Sequence, residues 1–329
     1  MEELIMWFIT LLIFPGALFI FSLALFTEYL FRKLSARMQK RMGPTYVGPA
    51  GILQPLYDLW KLLHVKEEVV NKYSMPMLAK IFGLLGLSAA IAVLPLFPLS
   101  PLRIYGDYDF LVYMYICCLW IPFMMILMSL SMPGPYTSVG VSRILTFVTI
   151  CEPAYFTALL VPVAITSKNA SPIYSVFTAS KNIWQYWINP YTFPLLLLAL
   201  ISAIVSLQAK GMLQPFNIPE AEQEIIAGFE TEFSGPILGI GRLLHDLDIT
   251  ITIIAIVYIL LGGPYPYPHL SIPGVIILVA KYLGIVLLVA IVKNAFGRYR
   301  IEQALYVLFK YSLIPAIIAT ILTYIYLLI

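Results

Sequence analysis

Carboxylates are the residues best placed to do chemistry in this chain. The segment QPFNIPEAEQEIIAGFETEFSGP, Gln214 to Pro236, carries Glu220, Glu222, Glu224, Glu230 and Glu232 with no basic residue, five of the chain's seventeen acids. A plain connector between two apolar runs needs no such concentration, so the segment is the first candidate for function. Glu152 is the second, because it follows nine residues of an apolar run. At 1.5 Å per residue it would lie about 13 Å into a membrane. An ionisable group at that depth costs several kcal/mol unless it pairs, meets water or holds a proton. It reads either as a proton relay or as one partner of a static hydrogen bond, and Pro153 beside it frees a backbone carbonyl.

A third constellation opens the run after the acidic segment, GPILGIGRLLHDLDIT, where Arg242, His245, Asp246 and Asp248 fall within two helical turns. His245 lies three residues from both Arg242 and Asp248 and shares a helical face with each. A titrating His245 and Asp246 could extend a proton path from the acidic loop, and an internally neutralised Arg/Asp pair that fixes packing fits equally well. Lys281 falls near the middle of one apolar run and is a further candidate proton carrier, whereas Lys310, about two turns into the last run, can snorkel. Glu28 and Arg32 are four apart and read as an ion pair. Phosphate loops, dinucleotide fingerprints, HExxH and CxxC are absent. Cys117, Cys118 and Cys151 sit in apolar runs without metal-ligand spacing. No catalytic residue and no metal ligand is assigned.

Membrane-crossing helices must position these groups. With 329 residues, 61% hydrophobic, 11% charged and a mean hydropathy of +0.90, the chain has more apolar surface than a soluble core could hide. A span needs roughly 20 apolar residues, and eight segments qualify, at about 5–30, 76–97, 110–131, 143–166, 191–209, 236–261, 273–292 and 303–328. The first opens with Glu2 and Glu3 and has no cleavage pattern, so it reads as a retained helix. Lys and Arg concentrate in the connections after spans 1, 3, 5 and 7, while the opposite connections hold Arg103, Lys168 and Lys181. That bias puts the acidic loop and the other long charged loops in the cytoplasm, and both termini outside a cell membrane. The outside loops are short, rich in Pro and Tyr, and read as caps. Within Arg41 to Glu68, the apolar residues Ile52, Leu53, Leu56, Leu59, Trp60 and Leu63 recur at helical spacing, with Gln54, Asp58 and Lys61 on another face. A helix over about 51–64 is too short to span and should lie along the membrane surface. The expected fold is an all-α integral membrane protein, with eight transmembrane helices and one cytoplasmic-side amphipathic helix forming one membrane domain over residues 1–329. A net charge of +3, biased to one membrane face, gives no reason to expect nucleic acid.

The segments RMQKRMGPTYVGPAGILQPLYDLWKLL, PFNIPEAEQEIIAGFETEFSG and AFGRYRIEQALYVLFK, together with the glutamate in span 4, resemble one family. It is the membrane subunit of respiratory complex I that anchors the peripheral arm, known in bacteria as the H subunit. Counterparts occur in membrane-bound nickel–iron hydrogenases and in related ferredoxin-linked, sulfur-reducing complexes. The resemblance covers almost the whole chain. It implies a protein without a catalytic centre or cofactor of its own. Its cytoplasmic loops would dock a hydrogenase-like large subunit, an iron–sulfur small subunit and a ferredoxin-like iron–sulfur subunit, with antiporter-like membrane subunits as neighbours. Iron–sulfur clusters, and in some relatives a nickel–iron centre, would belong to those partners. In quinone-reducing relatives the same loops form a quinone chamber. By the same resemblance Glu152, Glu220, Glu222, Glu224 and Glu232 would relay redox-linked charge, joined by His245, Asp246 and Lys281 from the residue reading. Asp58, Arg298 and Arg300 match the family's docking and chamber motifs, beside Arg32, Lys33, Arg37 and Lys61. Two departures stand out. Phe31 precedes Arg32 and Lys33 where complex I relatives carry a glutamate, and His245 stands at the position of their span-6 glutamate. They tilt the expectation away from a quinone chamber and toward a hydrogenase or sulfur-reductase complex coupled to proton or sodium movement.

Overall fold

The computed structural model describes residues 2–99, 106–168, 170–268 and 271–328, with the side chains of residues 2–5 and of Glu222 left out of account. Arg103 and the Glu222 side chain therefore lie outside the described residues. Among these residues all regular structure is helical, and eight helices are long and apolar enough to cross a membrane. The first span is broken. Helix α1 (Glu2–Leu12) ends before Pro15, and α2 (Ala17–Met38) resumes after it, since proline cannot continue the ladder. Because α2 runs to Met38, Arg32, Lys33 and Arg37 stand on the helix itself, beyond the expected limit at residue 30.

Helix α3 (Gln54–Trp60) continues through one wider turn, Lys61–Val65, and so starts three residues later than the expected 51–64. The remaining spans are α4 (Pro76–Leu96), α5 (Asp109–Leu130), α6 (Pro135–Ser167), α8 (Phe193–Lys210), α9 (Gly235–Leu260), α10 (Ile272–Ala295) and α11 (Ile301–Leu328). Between α6 and α8 lies α7 (Val176–Ile188), a helix that the loop reading of this connection did not anticipate. Trp184 and Trp187 on α7 donate their indole N–H groups to the carbonyls of Leu261 and Leu260, at 2.9 and 2.7 Å. These two carbonyls belong to the end of α9, where a helix has no amides left to satisfy them.

Helix α9 is central, with 89% of its most apolar stretch buried, against 28% for α10 and 22% for α11. His245, Asp246 and Asp248 of α9 therefore face protein, whereas Arg242 near its start is exposed. Gly83 and Gly86 of α4 let that helix approach closely, since a Cβ on either would meet Ile240 or Leu244 within 2.7 Å. Helices α8 and α11 are joined by Ser206 and Ser312, whose hydroxyls lie 2.5 Å apart. Helix α6 begins eight residues before the expected 143, at Pro135. Glu152 thus lies roughly 25 Å along its axis at 1.5 Å per residue.

The connections after spans 1, 3, 5 and 7 meet at one end of the bundle. Val69 N donates to Ser234 Oγ at 2.8 Å, Tyr299 N to Pro215 O at 3.1 Å, and a Cβ on Gly134 would meet Glu232 Oε1 at 2.5 Å.

Candidate functional site

The acidic segment folds back into a bowl at this end. Short helix α8 stops at Lys210 while α2, α6 and α9 carry on, and the loop fills the space left above it. Phe216, Ile218, Ala221, Ile225, Phe229 and Phe233 are all buried, so the segment alternates acids with apolar anchors. Two glycines permit this seat. A Cβ on Gly140 of α6 would lie 2.4 Å from Phe229 N, and Gly228, at φ +58°, turns directly over the Pro219 carbonyl.

The loop roofs a cavity of about 480 Å³ whose walls carry Glu28, Glu220, Glu230 and Asp246 against Arg32, Arg41, Arg242 and Lys293, with His245 among them. Arg242 Nε lies 3.6 Å from Glu230. Arg32 pairs with Glu28 on its own helix and with Asp58 of α3 at 2.7 Å, and Gln54 donates to the other oxygen of Asp58 at 3.0 Å. This bridge ties the amphipathic helix to the first span. Burial, and then the nearby Glu220 carboxylate, push Glu230 up to about 7 despite the opposing pull of Arg242. A carboxyl group at the cavity wall can thus take up and release a proton near neutrality.

One helical turn below the cavity the charges are fully enclosed. Lys210 Nζ lies 2.8 Å from Glu152 Oε1 and 3.4 Å from Asp248 Oδ1, and all three side chains are at most 7% exposed. A third contact of Lys210 follows from a local irregularity in α5. Residues Tyr115–Trp120 form a π turn, in which each amide bonds the carbonyl five residues back. The amide that would serve Cys117 O belongs to Pro122, which has no N–H, and Lys210 Nζ donates to that carbonyl at 2.6 Å. A small void of about 20 Å³, close to one water, touches Glu152, Lys210, Asp248 and Pro219 of the acidic loop. His245 joins the two levels, with Nε2 3.2 Å from Gly211 O and Nδ1 4.0 Å from Asp246. Met212 lines both cavities.

A family model described as NADH dehydrogenase matches residues 9–324. The chain belongs to the NADH dehydrogenase family. It is homologous to the H subunit of NADH-quinone oxidoreductase, with 31% identity over 299 residues to that of Syntrophotalea carbinolica, covering 86% of this chain and 85% of the relative. The corresponding protein of Pelagibacter ubique is 28% identical over 281 residues, covering 84% and 81% of the two chains. In three dimensions the chain is similar to a chain of the membrane-bound sulfane sulfur reductase, an archaeal respiratory membrane complex. That match has a TM-score of 0.75 and 25% identity, over 93% of this chain and 96% of the other.

Within this family frame, the residues read from the sequence separate into groups. Glu220, His245, Asp246 and Arg32 line the large cavity, and Asp58 joins them through Arg32. Glu152 lies below. Glu224 stands at the rim, between Arg143 Nη1 at 2.8 Å and Arg298 Nη2 at 3.3 Å. Glu232 packs over Gly134, and Lys33 donates to Pro44 O and Ala50 O at 2.6 and 3.1 Å. Arg37, Lys61 and Arg300 are exposed. Lys281 is far from all of these. Its Nζ donates at 2.7 Å to the carbonyls of both Leu261 and Gly263, beside the Trp184 ring. Lys281 is the tenth residue of the 24 in α10, near mid-span as expected, and its side chain reaches the connection that follows α9. The Arg/Asp pairing within α9 is replaced, by Arg242 with Glu230 and by Asp248 with Lys210. Among the described residues no group of His, Cys, Asp and Glu side chains gathers as a metal site.

The sequence gives Lys210 and Lys293 no site role, and Glu230 stands out there only as one of the loop's five acids. Lys210 ends an apolar run, where a lysine usually marks topology. The available signal was the charge balance, since Glu152 and Asp248 both enter the membrane and require a base.

Proposed function

We propose that this chain is the membrane anchor and coupling subunit of a complex I-like oxidoreductase, holding a peripheral redox module and linking its electron transfer to ion movement. The observation that carries this reading is contiguity. Glu230 and Glu220 in the loop, His245 and Asp246 at the cavity wall, and the Lys210–Glu152–Asp248 cluster below form one polar column into the bundle. A change of charge or shape imposed on the loop by a docked module would be felt at Glu152 through Pro219 and His245. Protons or sodium ions would move in response, with the loop on the cytoplasmic face and both termini outside.

The favoured branch is a hydrogenase-type or sulfur-reducing complex fed by ferredoxin through partner iron–sulfur subunits, with antiporter-like membrane neighbours. Two features support it over a quinone chamber. The cavity walls are dense in charge, whereas sites for small organic ligands are mostly apolar. Where α2, α3 and α9 meet, the void measures about 30 Å³ and Arg32 bridges it from Glu28 to Asp58. The structural likeness to the sulfane sulfur reductase points the same way, while the sequence relatives are named for quinone reduction. The test is Glu152→Gln in the assembled complex, which keeps Lys210 paired with Asp248. Ion translocation per electron is expected to fall at least tenfold while partner subunits still co-purify. Wild-type translocation and turnover would sink the coupling role.

A further inference from the structure

The grip on Lys210 includes one contact that no acid supplies. Its three acceptors come from three helices, Glu152 Oε1 of α6 at 2.8 Å, Asp248 Oδ1 of α9 at 3.4 Å and Cys117 O of α5 at 2.6 Å. The backbone contact is the shortest. An ammonium has three N–H groups and no lone pair, so the three acceptors use it fully. A carbonyl only accepts, and it offers nothing to the lone pair of a neutral amine. The other titratable groups around Lys210 are Cys117 and Cys118 of α5 and Cys151 and Tyr155 of α6, and only the two carboxylates oppose its charge.

The register of α5 frees that carbonyl. Ile121 N bonds Ile116 O, five residues back, and the next amide in this register would reach Cys117 O. Residue 122 is proline and has no N–H. Its ring also walls the small void that Glu152, Lys210 and Asp248 share. The same backbone pattern occurs in α11, where Phe309–Leu313 form a π turn, Ile314 N bonds Phe309 O, and Pro315 stands where an amide would reach Lys310 O. Helix α11 carries none of the proposed coupling groups, so Pro315 is a matched control for Pro122.

We propose that Pro122 is a positioning residue, which reserves the Cys117 carbonyl for Lys210 and thereby holds the lysine as a fixed ammonium. The carboxyls of Glu152 and Asp248, and not Lys210, are then the groups of the cluster that exchange protons. The consequence for transport rests on the coupling role proposed above. The consequence for the position of Lys210 does not.

The experiment compares the assembled complex carrying Pro122→Ala or Pro122→Val with wild type, by cryo-electron microscopy and by ion translocation per electron. Both substitutions give residue 122 an N–H for Cys117 O. Alanine enlarges the void and valine fills it, so an effect common to both belongs to the N–H, and either variant serves if the other fails to fold. Lys210 Nζ is expected to move beyond hydrogen-bond distance of Cys117 O. Translocation is expected to fall about three- to tenfold, the scale of one hydrogen bond to a charged group, whereas Pro315→Ala should leave both readouts as in wild type. Lys210→Arg supplies a cation that stays charged in proteins. It is expected to keep about a third or more of wild-type translocation and to make Pro122→Ala nearly silent, with less than about a twofold further loss, because the coupling between the two sites is gone. An assembled Lys210→Arg complex with no translocation would overturn the fixed charge. An equal loss from Pro122→Ala in the lysine and arginine backgrounds would reduce Pro122 to packing, and an unmoved Lys210 in both proline variants would overturn its positioning. If Glu152→Gln left translocation at the wild-type level, the coupling role would fail on its own, and the displacement of Lys210 would still decide this inference.

Discussion

At the end of the bundle away from the acidic loop, charged groups are held by backbone groups and a hydroxyl. Lys281 donates to the carbonyls of Leu261 and Gly263, and Asp109 accepts from Ser175 Oγ at 2.7 Å and Val176 N at 2.8 Å. At the acidic-loop end charges are held by other charges on different elements, as Lys210 is by Glu152 and Asp248, and Glu230 by Arg242. The first arrangement ties each charge to a neighbouring connection. The second leaves buried oxygens such as Asn217 Oδ1 without partners among the described residues and places voids beside the charges. Under the proposed coupling role protons would be redistributed there, because each acid has an alternative base or acid nearby. On that role the difference separates charges that build the fold from charges that would couple the redox module to ion movement.

The strongest way to break this distinction is to remove one lysine from each end. Lys210→Met would leave Glu152 and Asp248 facing each other in an enclosed site. The expected loss is about 3–5 kcal/mol, typical of a buried pair deprived of one partner, read as a large fall in the thermal unfolding midpoint of the complex and in the yield of assembled subunits. Adding Glu152→Gln should restore part of the stability without restoring ion translocation. Lys281→Met is expected to cost about 1.5–3 kcal/mol, the scale of hydrogen bonds to a charged group, with translocation per electron unchanged. If Lys281→Met uncoupled the complex and the Lys210→Met/Glu152→Gln variant did not, the assignment of the two ends would be reversed.

A second measurement sharpens the comparison through pH. Glu230 is raised in the fold to about 7 from an ordinary value near 4.5, so the folded loop prefers its neutral form. Its seat is therefore most stable below the unfolded value, weakens as pH rises between about 4.5 and 7, and reaches a constant penalty above 7. Hydrogen exchange at the amides of Gly228 to Phe233 should quicken, beyond its intrinsic pH dependence, as pH climbs from 5 to 8. Glu230→Gln should remove that excess and slow exchange at pH 8 by about tenfold or more. Loss of the excess in a Glu232→Gln control would show that another group titrates.

Much of this organisation is legible in the sequence because the membrane makes rules strict. Apolar length marks the eight spans, and a glutamate such as Glu152 inside one is conspicuous. The density of acids around Glu224 likewise stands out against an apolar background. What the sequence hides depends on relations across elements. Lys210 ends an apolar run, where snorkelling and burial look alike, and only the shortness of α8 relative to α6 and α9 puts it under the loop. The carbonyl of Cys117 becomes available through a π turn that hydrophobic periodicity cannot register. Lys281 stands near mid-span as its place in the run predicts, but its carbonyl partners are hidden, because depth counted along a helix does not show a connection that folds back to meet a four-carbon side chain. Helix α7 mixes Lys181, Gln185 and several aromatic rings, so its amphipathic pattern passes for loop.

The smallest expected effect lies at the rim of the charged end. Glu224 is about half exposed and bridges Arg143 and Arg298, and exposed bridges contribute roughly 0–1 kcal/mol. Arg143 also donates to Ile218 O at 3.2 Å, so one side of the loop keeps its tether when Glu224 becomes neutral. Glu224→Gln is therefore expected to leave the unfolding midpoint within about 2 °C of wild type, while exchange quickens a few-fold between Phe296 and Arg300, the side Arg298 holds. Raising salt in the wild type should reproduce that local change, because the bridge is open to screening, whereas the Lys210 cluster should be indifferent to salt. An effect of Glu224→Gln on stability as large as that of Lys210→Met would mean that the rim carries the loop, and the contrast between enclosed and exposed charges would lose its physical basis.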